Sequence, residues 1–288
     1  MAQHVTAPAI RARKSGTPVV MVTAYDAPTA RIADEAGVDI ILVGDSVAMV
    51  VLGYEDTLPV TVEDMAHHVA AVARARPGAL VVADLPWLSY HLSAEDTVRN
   101  AAALVRAGAS AVKLEGGRSR VAAVQALIDA QIPVMGHLGL TPQSIHALGG
   151  YRVQGQQADA AAALVEEARA LSDAGCFAIV LECVPREVAR LITEGVPIPT
   201  IGIGAGPDCD GQVLVLHDVL GLGDRVLPKF VRRYGSVKAD AISAVAAYAD
   251  DVRAGRFPAD AESYHLSDDV ATSLGVPSDG RSSGSRTA

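Results

Sequence analysis

Short apolar runs, each bounded by turn residues, recur along this chain and constrain its fold more than any other feature. They span Pro18 to Asp26, Ile40 to Asp45, Ala79 to Asp84, Ala111 to Glu115, Pro133 to Gly139, Ala178 to Glu182, Pro199 to Gly206 and Gln212 to His217. Continuous apolar runs rich in β-branched residues fit strands covered on both faces, as in a parallel sheet. Helical patterns lie between most of them. Thr61-Val62-Glu63-Asp64 opens one with a capping hydroxyl and acids in its first turn. Ser93-Ala94-Glu95-Asp96 opens another that closes at Gly108, and a third runs from Gln157 to Gly175. Strand and helix alternating from end to end predict an α/β fold.

A weak internal echo narrows the class. Ala36-Gly37, Ala107-Gly108 and Ala174-Gly175 each end a helical pattern, and each precedes an apolar run finishing in an acid: Asp45, Glu115 and Glu182. Repeated βα units suit a (β/α)8 TIM barrel better than a doubly wound sheet with one switch point. The chain's 288 residues suffice, since such a barrel needs about 250. A barrel carries its catalytic groups at the C-terminal ends of several strands. The other reading is that these acids cap turns or the following helices.

The run Ala111-Val112-Lys113-Leu114-Glu115 is the least ordinary. Alternation along a strand turns Lys113 and Glu115 to one face, and buried charges are costly unless paired or bound to a metal. Asp45, Asp84 and Glu115 supply three hard carboxylates from neighbouring strand ends, which suits Mg2+ or Mn2+ rather than zinc. Lys113 is expected either to meet a substrate carboxylate or to form a salt bridge with Glu115. Glu182, apart in sequence, is a candidate general base if burial raises its pKa. Cys183 is expected on the opposite face of that strand, as packing. His137, also at a strand end, either hydrogen-bonds near the site or packs structurally; His67, His68 and His91 have weaker claims. Gly202-Ile203-Gly204-Ala205-Gly206 resembles a phosphate-cradling turn, although tight packing or the geometry of a substrate loop is the first expectation for it.

Bulk properties exclude some classes. The net charge of −9 and the lack of a Lys/Arg stripe argue against nucleic acid as a partner. The most apolar region, Val38 to Gly53, is broken by Asp39, Gly44 and Asp45, so no membrane span is expected. Three cysteines without paired spacing favour a reduced, cytoplasmic setting. Residues 1–16 are expected to be a loose arm, and 17–266 a single barrel domain with C-terminal helices, helical from Lys229 to about Gly255. Residues 267–288 read as a disordered tail.

In order along the chain stand TAYDAPTA, ILVGDSVAMVVLGYEDTLPVT, VVADLPWLSY, VKLEGG, MGHLGLTPQS, GGYRVQGQ, FAIVLECVP and IPTIGIGAGPDCDGQVLVLHDVLG. On these motifs, from Thr23 to Gly221, the chain closely resembles the ketopantoate hydroxymethyltransferase (3-methyl-2-oxobutanoate hydroxymethyltransferase) family of pantothenate biosynthesis. The resemblance implies a barrel of the phosphoenolpyruvate/pyruvate type. It also implies transfer of a hydroxymethyl group from 5,10-methylenetetrahydrofolate to 3-methyl-2-oxobutanoate through a Mg-stabilised enolate. Asp45, Asp84 and Glu115 match the family's magnesium acids. Asp45, Ser46, Asp84 and Lys113 match its keto-acid contacts, and Glu182 matches its proton acceptor. A homo-oligomer, typically a decamer, is implied as well. Two departures stand near the expected mouth: Val47-Ala48 where the family usually reads Leu-Gly, and Ala27 where an aromatic is common. A related magnesium-dependent barrel lyase, acting on a 2-oxo or 2-hydroxy acid, and a non-catalytic keto-acid-binding barrel are the alternative readings.

Overall fold

The structure, a computed structural model, describes residues 4–224 and 226–276. Each apolar run yields one strand, the last starting one residue before its run: β1 (Val19–Thr23), β2 (Ile40–Val43), β3 (Leu80–Asp84), β4 (Ala111–Glu115), β5 (Val134–Gly139), β6 (Ala178–Glu182), β7 (Thr200–Ile203) and β8 (Gly211–Leu214). They close in sequence order into a barrel with every neighbouring pair parallel. The expected (β/α)8 fold is present.

Alternation along the strands builds two cores. Met21, Leu42, Val82, Met135, Val180 and Val213 fill the barrel, while Ile41, Val43, Ala83, Val112, Leu114 and Ile179 pack outward with the helices. Both faces are apolar, which is why the runs read as continuous. The helices start where the capping residues stand: Thr61 and Asp64 form a reciprocal capping box on Val62–Ala73, and Ser93 accepts from Asp96 N–H on Ala94–Ala107.

Residues 7–11 are not a loose arm. They form the helix Ala7–Arg11, capped by Thr6, with Ala7 and Ile10 buried in the inner core. Val5 N–H donates to Gly78 O just before β3 (2.8 Å), so this turn of helix closes the N-terminal end of the barrel. Burial of Ile10 supplies the driving force that the polar residues around it hide from a reading of composition.

The chain divides into two compact units between Gly235 and Ser236, not into one domain reaching residue 266. The barrel belongs to the first. The second holds the helices Val237–Arg253 and Asp268–Ser273. The helix expected from Lys229 starts only at Val237, because the amides of Tyr234 and Gly235 are drawn to Val219 O (2.9 and 3.2 Å). Within the expected disordered tail, residues 268–273 are helical, and 277–288 lie outside the described residues. Among the described residues, no helix is long and apolar enough to cross a membrane.

Candidate active site

A cavity of about 650 Å3 opens at the C-terminal ends of the strands, lined by Asp45, Ser46, Asp84, Lys113, Glu115, His137 and Glu182. The structure thus brings every sequence-predicted site residue to one place.

Strand register explains the pairings. Asp84 on β3 stands level with Lys113 on β4, and Glu115 stands level with His137 on β5. Lateral neighbours are about 4.8 Å apart, whereas residues two apart on one strand are separated by about 6.6 Å. Lys113 Nζ accordingly pairs with Asp84 Oδ1 (2.9 Å), not with Glu115 as the salt-bridge expectation had it. His137 stands between two acids: Nδ1 is 3.4 Å from Glu115 Oε1, and Nε2 is 3.3 Å from Glu182 Oε2. Lys113 Nζ lies 3.3 Å from the same Nδ1.

Asp45 follows β2 by two residues and meets β3 through its backbone, whose N–H donates to Asp84 Oδ2 (3.1 Å). At Gly44, between β2 and Asp45, a Cβ would lie 2.9 Å from Ser46 Oγ and 3.4 Å from Asp84 Oδ2. Ser46 Oγ shares a hydrogen bond with the buried Tyr25 hydroxyl (2.9 Å).

The electrostatics are those of an acid excess. Asp45, Asp84, Lys113, Glu115 and His137 are all buried. Burial, then the charges of Asp84 and Glu115, raise the Asp45 carboxyl well above the ordinary range. Burial raises Asp84 also, against the pull of Lys113. Lys113 stays charged, because its three acid neighbours outweigh desolvation. Burial and Lys113 oppose protonation of His137, yet Glu115 and Glu182 lift its pKa to about 9. Asp45 and Asp84 are hard oxygen donors of the kind magnesium prefers. Asp84 and Glu115 each have partners on both oxygens: Lys113 (2.9 Å) and Asp45 N–H (3.1 Å) on Asp84, Gln143 N–H (3.0 Å) and His137 on Glu115. Among the described residues, no three acid, His or Cys side chains converge closely enough to enclose an ion. Two carboxylates completed by water and substrate are, however, a usual magnesium arrangement.

Other expectations sort out around this cluster. Cys183 lies past the end of β6 with φ 48° and lines the cavity, instead of pointing to the opposite face of the strand. Burial and the Glu182 charge push its thiol up to about 12, so it is a poor nucleophile at neutral pH. The glycine loop follows the packing expectation: a Cβ at Gly204 would lie 2.7 Å from the Phe230 ring. Val47 and Ala48 are fully buried in the outer core, while their neighbours Ser46 and Met49 line the cavity. His68 Nδ1 bonds Tyr25 O (2.7 Å).

Sequence reasoning missed three groups: Tyr25, Tyr90 and Gln143. The Tyr90 hydroxyl donates to Gln143 Oε1 (2.6 Å), and Gln143 Nε2 donates to Asp45 Oδ2 (2.8 Å). Tyr90 and Gln143 are neutral and lie in loops, where no periodicity marks them. The signal available was that VVADLPWLSY ends on Tyr90 and MGHLGLTPQS contains Gln143.

The fold is shared with enzymes of remote sequence. Phosphoenolpyruvate phosphomutase from Streptomyces platensis subsp. rosaceus superposes with a TM-score of 0.59 at 17% identity, covering 94% of this chain and 95% of that one. For 2,3-dimethylmalate lyase, a member of the PEP mutase/isocitrate lyase superfamily, the values are 0.56, 19%, 93% and 98%. At such identities the likeness is one of fold. Sequence relatives are far nearer. The 3-methyl-2-oxobutanoate hydroxymethyltransferase of Moorella thermoacetica is 56% identical over 268 residues, 92% of this chain and all of that protein. The enzyme of that name from Methylobacterium sp. is 57% identical over 270 residues, 93% of this chain and 94% of its own. The family model of ketopantoate hydroxymethyltransferase matches residues 4–260. The chain belongs to the ketopantoate hydroxymethyltransferase family.

Proposed function

We propose that the chain transfers a hydroxymethyl group from 5,10-methylenetetrahydrofolate to 3-methyl-2-oxobutanoate, giving 2-dehydropantoate, with Glu182 as the base and magnesium as the metal. The observation that carries the mechanism is the excess of acid in the cluster. Asp45, Asp84, Glu115 and Glu182 stand around two basic groups, Lys113 and His137, and carboxylates in such excess at a buried place call for a cation. Asp45, Asp84 and Glu115 would hold the ion. Bound there, magnesium supplies a Lewis acid for the keto acid's oxygens and lowers the cost of negative charge developing beside C3.

The chain's own groups do the rest. Lys113 and the Ser46 hydroxyl meet the carboxylate end of the keto acid. Glu182, with about a fifth of its side chain exposed and its Oε2 oriented by His137, takes the C3 proton. The carbon nucleophile so formed attacks the methylene carbon carried by the folate as one of that carbon's two C–N bonds breaks; cleavage of the second by water supplies the hydroxyl oxygen and releases tetrahydrofolate. The cavity, at about 650 Å3, is of the size that holds drug-sized ligands. That is far more than a five-carbon keto acid fills, and it leaves room for a second, larger co-substrate. A homo-oligomer, expected as a decamer, and a cytoplasmic setting belong to the same reading. The three cysteines, none in a disulfide, are consistent with that setting, and light scattering on a sizing column tests the assembly.

The decisive experiment is proton NMR of 3-methyl-2-oxobutanoate in D2O, with and without magnesium. Metal-dependent loss of the C3 proton signal is expected, and Glu182→Gln should slow it by about 10^2–10^4 while still binding the keto acid. Wild-type exchange in that variant would remove Glu182 from the role. Release of a smaller acid without folate would identify a lyase, and binding without any exchange a non-catalytic barrel.

A further inference from the structure

Gln143 lies in the short turn Pro142–Ser144 after β5 and is buried. Every hydrogen-bonding group of its side chain is engaged. Nε2 donates to Asp45 Oδ2 (2.8 Å) and to Leu85 O (2.9 Å), and Oε1 accepts from the Tyr90 hydroxyl (2.6 Å). The amide cannot be turned over. Leu85 O can only accept, so the NH2 end must face it, and the Tyr90 hydroxyl, which accepts from Glu115 N–H (3.2 Å), gives its proton to Gln143 Oε1. The NH2 end is thereby left facing two acceptors, a carboxylate and a carbonyl, which match its two donors. The backbone N–H of the same residue donates to Glu115 Oε2 (3.0 Å). One neutral residue on the β5 loop therefore grips an acid after β2, an acid at the end of β4 and the backbone after β3.

We propose that Gln143 is a positioning residue for the metal site: it occupies Asp45 Oδ2, leaves the other Asp45 oxygen for the ion, and holds Glu115 beside it. The inference rests on the magnesium reading above. The chemistry requires a neutral donor at this point. A carboxylate would add another charge to an acid cluster, while an apolar side chain would strand Asp45 Oδ2 and Leu85 O without donors in a buried place. Partners of this kind, one step behind the ligands, typically contribute 10–100-fold to metal affinity.

The test is Mn2+ binding, followed by the EPR signal of free Mn2+, on wild type, Gln143→Leu, Tyr90→Phe and Asp45→Asn, each checked for folding by circular dichroism. Wild type should bind Mn2+, and Asp45→Asn should bind it far more weakly. Gln143→Leu should lose 10–100-fold in affinity. Tyr90→Phe keeps the Nε2 bonds but frees Oε1 and the Glu115 N–H, and should lose a smaller factor, about 3-fold or more. Wild-type affinity in folded Gln143→Leu overturns the assignment. Should that variant not fold, wild-type affinity in Tyr90→Phe overturns it instead. Failure of the underlying reading looks different: wild type would bind no Mn2+, or Asp45→Asn would bind it as tightly as wild type.

Discussion

At the scale of single residues, the site is governed by which charges share a register position. Lys113 is buried between Asp84, at 2.9 Å, and the Nδ1 of His137, at 3.3 Å. Removing one partner of a buried ion pair leaves the other uncompensated, which costs about 3–5 kcal/mol. Lys113→Met is therefore expected to lower stability by roughly 3 kcal/mol in urea unfolding, and saturating magnesium should restore part of it by supplying positive charge to the same acids. A loss unaffected by magnesium would separate the lysine's role from the metal's. Gly139 shows the same economy of space. It stands level with Glu182, has φ 94°, and a Cβ there would lie 2.2 Å from Glu182 O. The base is placed beside a position that only glycine can occupy without displacing the β6 backbone.

At the scale of elements, helix starts are set locally. Thr61 Oγ1 accepts from Asp64 N–H (3.2 Å), and Asp64 Oδ2 accepts from Thr61 N–H (2.9 Å). Thr61→Ala should cost about 1 kcal/mol, read as a lowered urea midpoint at unchanged m. The Thr61 backbone amide, then its hydroxyl, hold the Asp64 pKa below its ordinary value. A carboxyl depressed in the folded state contributes stability that is present above its unfolded pKa and lost as pH falls through the folded one. The advantage of wild type over Asp64→Asn should therefore be complete at pH 7 and shrink below about pH 4. An advantage that grew on acidification would contradict the capping role. These caps were legible in the sequence because a capping box spans four consecutive residues and needs nothing from elsewhere in the fold.

At the scale of the whole molecule, closing the barrel puts all eight strand ends around one cavity and leaves its opposite end to be stoppered. Ile10 does this from the helix Ala7–Arg11, fully buried in the inner core. Ile10→Ala should cost about 2–5 kcal/mol by the cavity it leaves, with little change in keto-acid binding at the far end of the strands. A surface-like loss of under about 0.5 kcal/mol would show that this turn is not part of the core.

The sequence by itself determined the strands, the helix starts, the acids at the strand ends and the family, because periodicity, capping and motif are properties of neighbours along the chain. Asp45, Ser46, Asp84, Lys113, Glu115, His137 and Glu182 were all named from that information, and all line the cavity. Tertiary structure decided what each of them touches. Lys113 pairs across to Asp84 because adjacent strands are closer than alternate residues of one strand. Cys183 turns into the cavity because the chain leaves β6 with a left-handed residue. Gln143 reaches Asp45 across 98 positions of sequence, by bonds of neutral groups that carry no periodicity, and only closure of the barrel brings their elements together.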